Sequence, residues 1–244
     1  MKLALECRTD MLEMVQPFAD FDWILAHKVL KDNAYAEWYR NSKNVKFVDN
    51  SVNELGEPLS VDELKEAFEK VGGTYLVAPD YLGDTDRTIG AYQECIKVLP
   101  KEKVVGVIQG SDFTGAFECL RAYGKVPLLI SVPYDLCSQK TDPPWLMALR
   151  RSLFISNIPR DGSIQIHLLG FNTLDEFYWY QNMPFVLSID TGIPILLGLQ
   201  GLDILDPLEG KEKPTYPQME KLELTQKGWT AILRNIALLR RYLP

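Results

Sequence analysis

Histidine is scarce in this chain and its cysteines are scattered. There are two histidines, His27 and His167, and four cysteines, Cys7, Cys95, Cys119 and Cys137, none in a CxxC or CxxxC pair. A tetrahedral zinc site needs thiolates and imidazoles at short spacing, so none can be read and no metal is expected. The separated thiols read as reduced side chains packed in a cytosolic core. Long apolar runs are also missing, since nothing approaches the roughly 20 consecutive apolar residues of a membrane helix. Met1-Lys2-Leu3-Ala4-Leu5-Glu6 meets an acid too early for a signal peptide and reads as a first strand. A cytoplasmic protein without membrane contact is therefore expected. No GxGxxG follows an apolar run and no Walker sequence occurs, so no nucleotide cofactor is expected.

Positive charge is in deficit. Lys and Arg number 26 against 33 Asp and Glu, a net charge of −7. That balance argues against a broadly basic surface for nucleic acid. Two local stretches run the other way. Lys227, Arg234, Arg240 and Arg241 fall between Thr225 and Pro244 with no acid among them. Lys140, Arg150, Arg151 and Arg160 are accompanied by Asp142 alone. Such patches permit phosphate contact without requiring it, and solvated helix faces explain them equally well.

What the chain does have is 244 residues, 46% of them hydrophobic, and a repeating pattern. Eight short β-rich runs stand out: Leu3–Cys7, Trp23–Ala26, Val45–Val48, Thr74–Ala78, Val104–Ile108, Val126–Ser131, Ile164–Leu168 and Phe185–Ile189. Several are continuously apolar, as strands covered on both faces are. Helix-like segments alternate with them. Ser60-Val61-Asp62-Glu63 is a capping box, and Asp32–Arg40, Asp84–Val98, Asp112–Tyr123, Pro143–Leu153 and Thr173–Gln181 follow suit. Met14–Phe21 gives only a weak helix. Beyond the eighth run come an apolar segment to about Leu199, a polar loop over Asp206–Glu220 and a closing helix over Thr225–Tyr242. The pattern predicts one (β/α)₈ TIM barrel domain over residues 1–244, with an open doubly wound sheet as the alternative.

In such a barrel the chemistry stands at the C-terminal strand ends. Those positions hold Asp49-Asn50-Ser51, Asp80, Gln109-Gly110-Ser111, Val132-Pro133-Tyr134-Asp135, Leu169-Gly170 and Asp190-Thr191-Gly192. Asp49, Asp80 and Asp190 thus converge from separate strands, with the Gln109 amide beside them. Paired carboxylates suit glycosyl transfer, where one supports or attacks an oxocarbenium-like centre and the other moves a proton. Each Asp could equally cap the following helix. Tyr81 and Tyr134 follow strand ends and could stack on a base, while Trp145, Trp179 and Tyr180 are assigned to the core. His167, among apolar neighbours, reads as a satisfied core histidine.

Four motifs, in order over Val45–Gly192, resemble the tRNA-guanine transglycosylase superfamily. Val48-Asp49-Asn50-Ser51 is similar to that family's DSGG turn and Ile108-Gln109-Gly110-Ser111 to its VQGG motif. His167–Phe177 resembles YLMGVGTPEDL, and Leu187-Ser188-Ile189-Asp190-Thr191-Gly192 resembles FDCVLPTR. The resemblance implies Asp190 as the nucleophile on C1′ of the nucleotide and Asp49 as the general acid/base. It implies Asp80 and Gln109 as readers of the purine edge. Ser51, Gly110, Val132 and Gly170, on the same motifs or their equivalents, complete the implied base-binding set. Three departures stand beside it. The zinc subdomain of the tRNA enzymes is missing, Thr191-Gly192-Ile193-Pro194 replaces the PTR arginine, and Pro133 offers no N–H where the family has a Gly-rich turn. A compact zinc-free chain resembles most the DNA-guanine transglycosylases of phage and bacterial 7-deazaguanine modification. DNA and a free 7-deazaguanine base are then the implied partners, with the host cytoplasm as the setting for a phage-encoded chain. Family habit makes a homodimer an expectation. The alternatives are a tRNA-directed enzyme, a barrel glycosidase using Asp49 and Asp190, and a non-catalytic partner subunit.

Overall fold

A computed structural model describes residues 1–124, 128–139, 141–159, 162, 164–171, 173–205 and 219–244. Eight strands form one parallel sheet: β1 Lys2–Leu5, β2 Asp22–Leu25, β3 Lys46–Asp49, β4 Tyr75–Val77, β5 Val104–Val107, β6 Leu128–Pro133, β7 Ile164–Leu169 and β8 Val186–Thr191. Their order is β1-β8-β7-β6-β5-β4-β3-β2, so sequence neighbours are spatial neighbours all the way round. This is the (β/α)₈ barrel that the alternation of strand and helix predicts. The seam between β1 and β2 is drawn together by Asp20. Its N–H donates to the Leu3 carbonyl at 2.7 Å and its carboxylate accepts the Leu3 N–H at 2.7 Å.

The helices that cover the barrel are α1 Leu12–Val15, α2 Ala26–Lys31, α3 Asn33–Asn41, α4 Val52–Leu55, α5 Val61–Val71, α6 Thr85–Val98 and α7 Phe113–Tyr123. After them come α8 Pro144–Ser156, α9 Phe177–Tyr180, α10 Ile193–Leu199 and α11 Gln226–Tyr242. Side-chain caps set several starts. Asp32, Asp84, Asp112 and Thr225 each accept a backbone N–H of the first turn, and Ser60 with Glu63 forms the predicted capping box. Two expected helices are shorter than their pattern. The first is only α1 between 3₁₀ turns, because Pro17 sits in the second of these and cannot donate to an α ladder. The segment Thr173–Gln181 splits into a 3₁₀ turn and α9. Most of the polar loop Asp206–Glu220 lies outside the described residues.

Strand periodicity divides the core in two. Outward-facing side chains pack under the helices, while Ala4, Phe21, Trp23, Phe47, Val77, Val105 and Val107 fill the barrel's interior. Within that interior the His167 ring lies 4.5 Å from Trp23, nearly parallel at 17°. The same period-2 rule carries the inward row upward from Phe47 to Asp49, from His167 to Leu169 and from Ser188 to Asp190. It also carries Ala4 to Glu6, one residue past the end of β1.

Candidate active site

Asp190 is buried at the top of β8, opposite Leu169 of β7 and Ala4 of β1. Its Oδ1 accepts the His167 Nε2 at 2.9 Å and the Gly170 N–H at 3.3 Å. His167 Nδ1 lies 2.9 Å from Ser188 Oγ. Burial, with the Arg151 charge nearby, pushes the imidazole down to about 3, so the ring is neutral. A carboxylate can only accept, so Nε2 carries the ring hydrogen and Nδ1 accepts from the Ser188 hydroxyl. This is not a hydrolytic triad. Ser188 lies a layer below Asp190 on the strand, donates its hydrogen inward, and serves to fix the tautomer. His167 is therefore a satisfied core histidine, as expected, but the group it satisfies is the candidate nucleophile.

The mouth around Asp190 is crowded with acids. Glu6, whose backbone N–H donates to the Thr191 carbonyl at 3.1 Å, is the acid that acts on Asp190 from the end of β1. Asp49 on β3 accepts the Ser51 N–H at 2.8 Å. Glu54 of α4 keeps its buried Oε2 without a hydrogen-bond partner among the described residues. Burial is the leading influence on all four. It takes Glu6 and Asp49 well above the ordinary carboxyl range, helped by Asp190 and Glu54 respectively. Glu54 is pushed up to about 8 by burial and by Glu6. Asp190 rises to about 7, since burial and Asp49 outweigh the influence of Glu6. The mouth is thus a set of carboxyls that hold protons near neutral pH, suited to proton transfer.

Asp80 is tied more firmly. Its carboxylate accepts Asn50 Nδ2 and Gln109 Nε2, each at 2.7 Å, and burial still raises it to about 6. Gln109 is occupied at both ends, its Oε1 accepting the Gly83 N–H at 3.2 Å. The amide therefore aims the Asp80 carboxylate. None of Asp49, Asp80 and Asp190 caps a helix, which disposes of the simplest alternative for them. Ser51 is buried at φ 63°, with its Oγ accepting the His27 N–H at 3.2 Å, and so fixes the turn after β3. At Gly110 a Cβ would lie 2.5 Å from the Ala116 nitrogen, so glycine lets the start of α7 close against the strand end. Val132 is buried, and its carbonyl faces Arg151 rather than the mouth.

Arg151 is a structural device that its place in a basic stretch does not reveal. It is completely buried, donates to the carbonyls of Val132, Leu169 and Gly170 at 3.3, 3.2 and 2.9 Å, and pairs with Glu176 at 2.5 Å. It therefore fixes the strand ends that present Gly170 to Asp190 and cannot contact phosphate. The rest of that basic stretch is equally committed where it is described. Arg150 pairs with Asp142, while Lys140 and Arg160 lie outside the described residues. Along α11, Arg234 pairs with Asp203 and Arg240 with Asp20. Trp145 and Trp179 are 59% and 40% exposed, contrary to their assignment to the core, whereas Tyr180 is buried. Tyr81 is covered by the Arg87 guanidinium, 3.7 Å from its ring centre. Among the described residues no group of His, Cys, Asp and Glu is arranged to hold a metal ion, and no helix is long and apolar enough to cross a membrane.

No family model and no curated protein matches the chain. Among solved structures it is similar to a D-psicose 3-epimerase with D-tagatose from Clostridium cellulolyticum H10. That match has a TM-score of 0.53 and 9% identity, over 100% of this chain and 99% of the other. A likeness at that identity is one of barrel architecture.

Proposed function

We propose that this chain is a guanine transglycosylase that exchanges guanine in DNA for a 7-deazaguanine base. The observation that carries this reading is Asp190. It is a buried carboxylate at a C-terminal strand end, oriented on one oxygen by two neutral donors and surrounded by acids that hold protons. Neutral donors orient a nucleophile without forming an ion pair that would quench it. Asp190 attacks C1′ as the bond to the guanine breaks, giving a glycosyl ester, and the incoming base reverses the step. Asp49 is the second carboxyl at the exchanging base and moves a proton there. Asp80, aimed by Asn50 and Gln109, keeps lone pairs for the N–H donors of a purine edge, and a base lacking those donors leaves it unpaired. Reaching C1′ in a duplex requires the nucleotide to leave the stack. Lys227 and Arg241 on α11, which form no ion pair among the described residues, are available to phosphate.

The preference for DNA over tRNA rests on the resemblance to compact chains without the zinc subdomain. The deciding experiment is exchange of labelled guanine, in duplex DNA and separately in tRNA, against 7-cyano-7-deazaguanine. Release from DNA, with a denaturation-resistant protein–DNA adduct, is the expected result. Release from tRNA alone would move the chain to the RNA-directed branch. Release from neither would overturn the transglycosylase reading in favour of a partner subunit or an unrelated barrel enzyme.

A further inference from the structure

Glu6 has no task in the mechanism above, yet its backbone is tied to the end of the strand that carries the nucleophile. Leu5 ends β1, and the inward row through Ala4 turns the next side chain of that row, Glu6, toward the mouth. Its N–H donates to the Thr191 carbonyl at 3.1 Å, which anchors its backbone beside the residue after Asp190. A Cβ at Gly192 would lie 3.5 Å from the Glu6 Cβ, so the stem is hemmed in from β8 as well. The charged groups that act on the pair are Asp49 of β3 and Glu54 of α4, both acids. Carboxyls gathered this closely away from water cannot all be ionised, so a proton is held beside Asp190.

Resting on the transglycosylase reading, we propose that Glu6 is a catalytic acid, which gives its proton to the departing guanine and recovers one from the incoming base. In the first half-reaction an Asp190 oxygen bonds to C1′ while the C1′–N9 bond breaks and its electron pair leaves with the purine. Asp190 becomes a neutral ester and ceases to be a charge that holds the Glu6 proton. The proton is thereby released when the guanine needs it. In the second half N9 of the 7-deazaguanine attacks C1′, its proton passes to the Glu6 carboxylate, and the ester C–O bond breaks. The pair returns to its starting state, with protons and electrons balanced and no co-reactant. Glu6 is the acid whose backbone is bonded to the strand end of Asp190, so the N9 proton falls to it and Asp49 is left with proton exchange elsewhere on the base.

Glu6→Gln keeps the shape and a hydrogen-bond donor but carries no transferable proton. Guanine release from duplex DNA should fall on the order of 10²-fold, the usual contribution of a positioned acid. Duplex carrying 7-methylguanine supplies a base that is already cationic and departs neutral without a proton. On that substrate Glu6→Gln should release base within a few-fold of wild type. Equal guanine release by variant and wild type overturns the proposal. So does a loss that the methylated base fails to restore, because Glu6 then only shapes the mouth. If Gln at this position does not melt cooperatively, Glu6→Asp replaces it, with guanine release expected to drop and 7-methylguanine release to hold. Wild-type protein that releases neither base overturns the transglycosylase reading itself, whereas an active wild type with an indifferent variant overturns the role of Glu6 alone.

Discussion

At Asp190 burial and hydrogen bonding pull in opposite directions. Burial favours the neutral acid, while the donors from His167 and Gly170 favour the charged form. The outcome, about 7, leaves the group poised between the two near neutral pH. Asp190→Asn keeps the volume and removes the nucleophilic oxygen. Base exchange should fall by at least about 10³-fold, with no adduct on a denaturing gel, as for loss of a covalent nucleophile. His167→Gln can still offer an N–H but loses the stack on Trp23 and the fixed tautomer. It should lower the exchange rate by roughly 10-fold to 10²-fold with KM nearly unchanged, since it disturbs orientation rather than substrate contact. A change confined to KM would count against the positioning role.

Among the elements, β6, β7 and α8 are held as a unit by one side chain. Arg151 rises from α8, spans three carbonyls at two strand ends, and finds its counter-charge on Glu176 in the turn before α9. Removing one member of a buried ion pair leaves the other uncompensated. Arg151→Met should therefore cost about 3–5 kcal/mol in urea unfolding. Arg151→Met with Glu176→Leu should cost clearly less than the sum of the two single changes. Additive single effects would show that the pair is not coupled. The eight strands were legible because most of their side chains are buried, so that the runs are β-rich and several are unbroken in apolar character. Asp49, Gln109 and Asp190 were legible because each directly follows such a run, and Asp80 because it stands one proline beyond its own. Glu6 was not, since the first β-rich run extends to Cys7 and places the acid inside a strand. The ladder stops at Leu5, and only the inward row through Ala4 reveals where Glu6 points. Arg151 was hidden by its cationic neighbours and by a partner 25 residues away. Trp145 and Trp179 misled because aromatic bulk signals burial, whereas adjacent helical residues point about 100° apart, so the face of α9 that buries Phe177 and Tyr180 leaves Trp179 outside.

For the whole molecule the crowded mouth is a burden on stability. A carboxyl whose folded value is raised binds its proton more tightly in the native state than in the unfolded chain. Its contribution is fully present below the unfolded value near 4 and is lost as pH rises through the folded one. Asp80, Asp190 and Glu54, at about 6, 7 and 8, place that loss across the neutral range. Asp10, Asp20, Asp32 and Asp142 are lowered by their partners and lose their contribution only as pH falls below the ordinary carboxylate range. The melting temperature should therefore be highest between about pH 4 and 6 and decline toward pH 8.5. Glu54→Gln should flatten that decline, and Asp190→Asn should melt higher than wild type at pH 8 while being inactive. A melting temperature that rose steadily to pH 8.5 would contradict the protonated mouth.

The indole of Trp23, stacked in the sealed barrel against the ring that steadies the nucleophile, has an optical consequence. Trp145 and Trp179 emit from solvent, so the blue edge of the tryptophan fluorescence belongs to buried indoles, Trp23 foremost. An imidazolium quenches a neighbouring indole far more strongly than a neutral imidazole does. Because burial holds His167 neutral, that emission should stay unquenched through the neutral range and dim only as pH falls toward about 3. It can be read in a stopped-flow cuvette without label, ligand analogue or coupled assay.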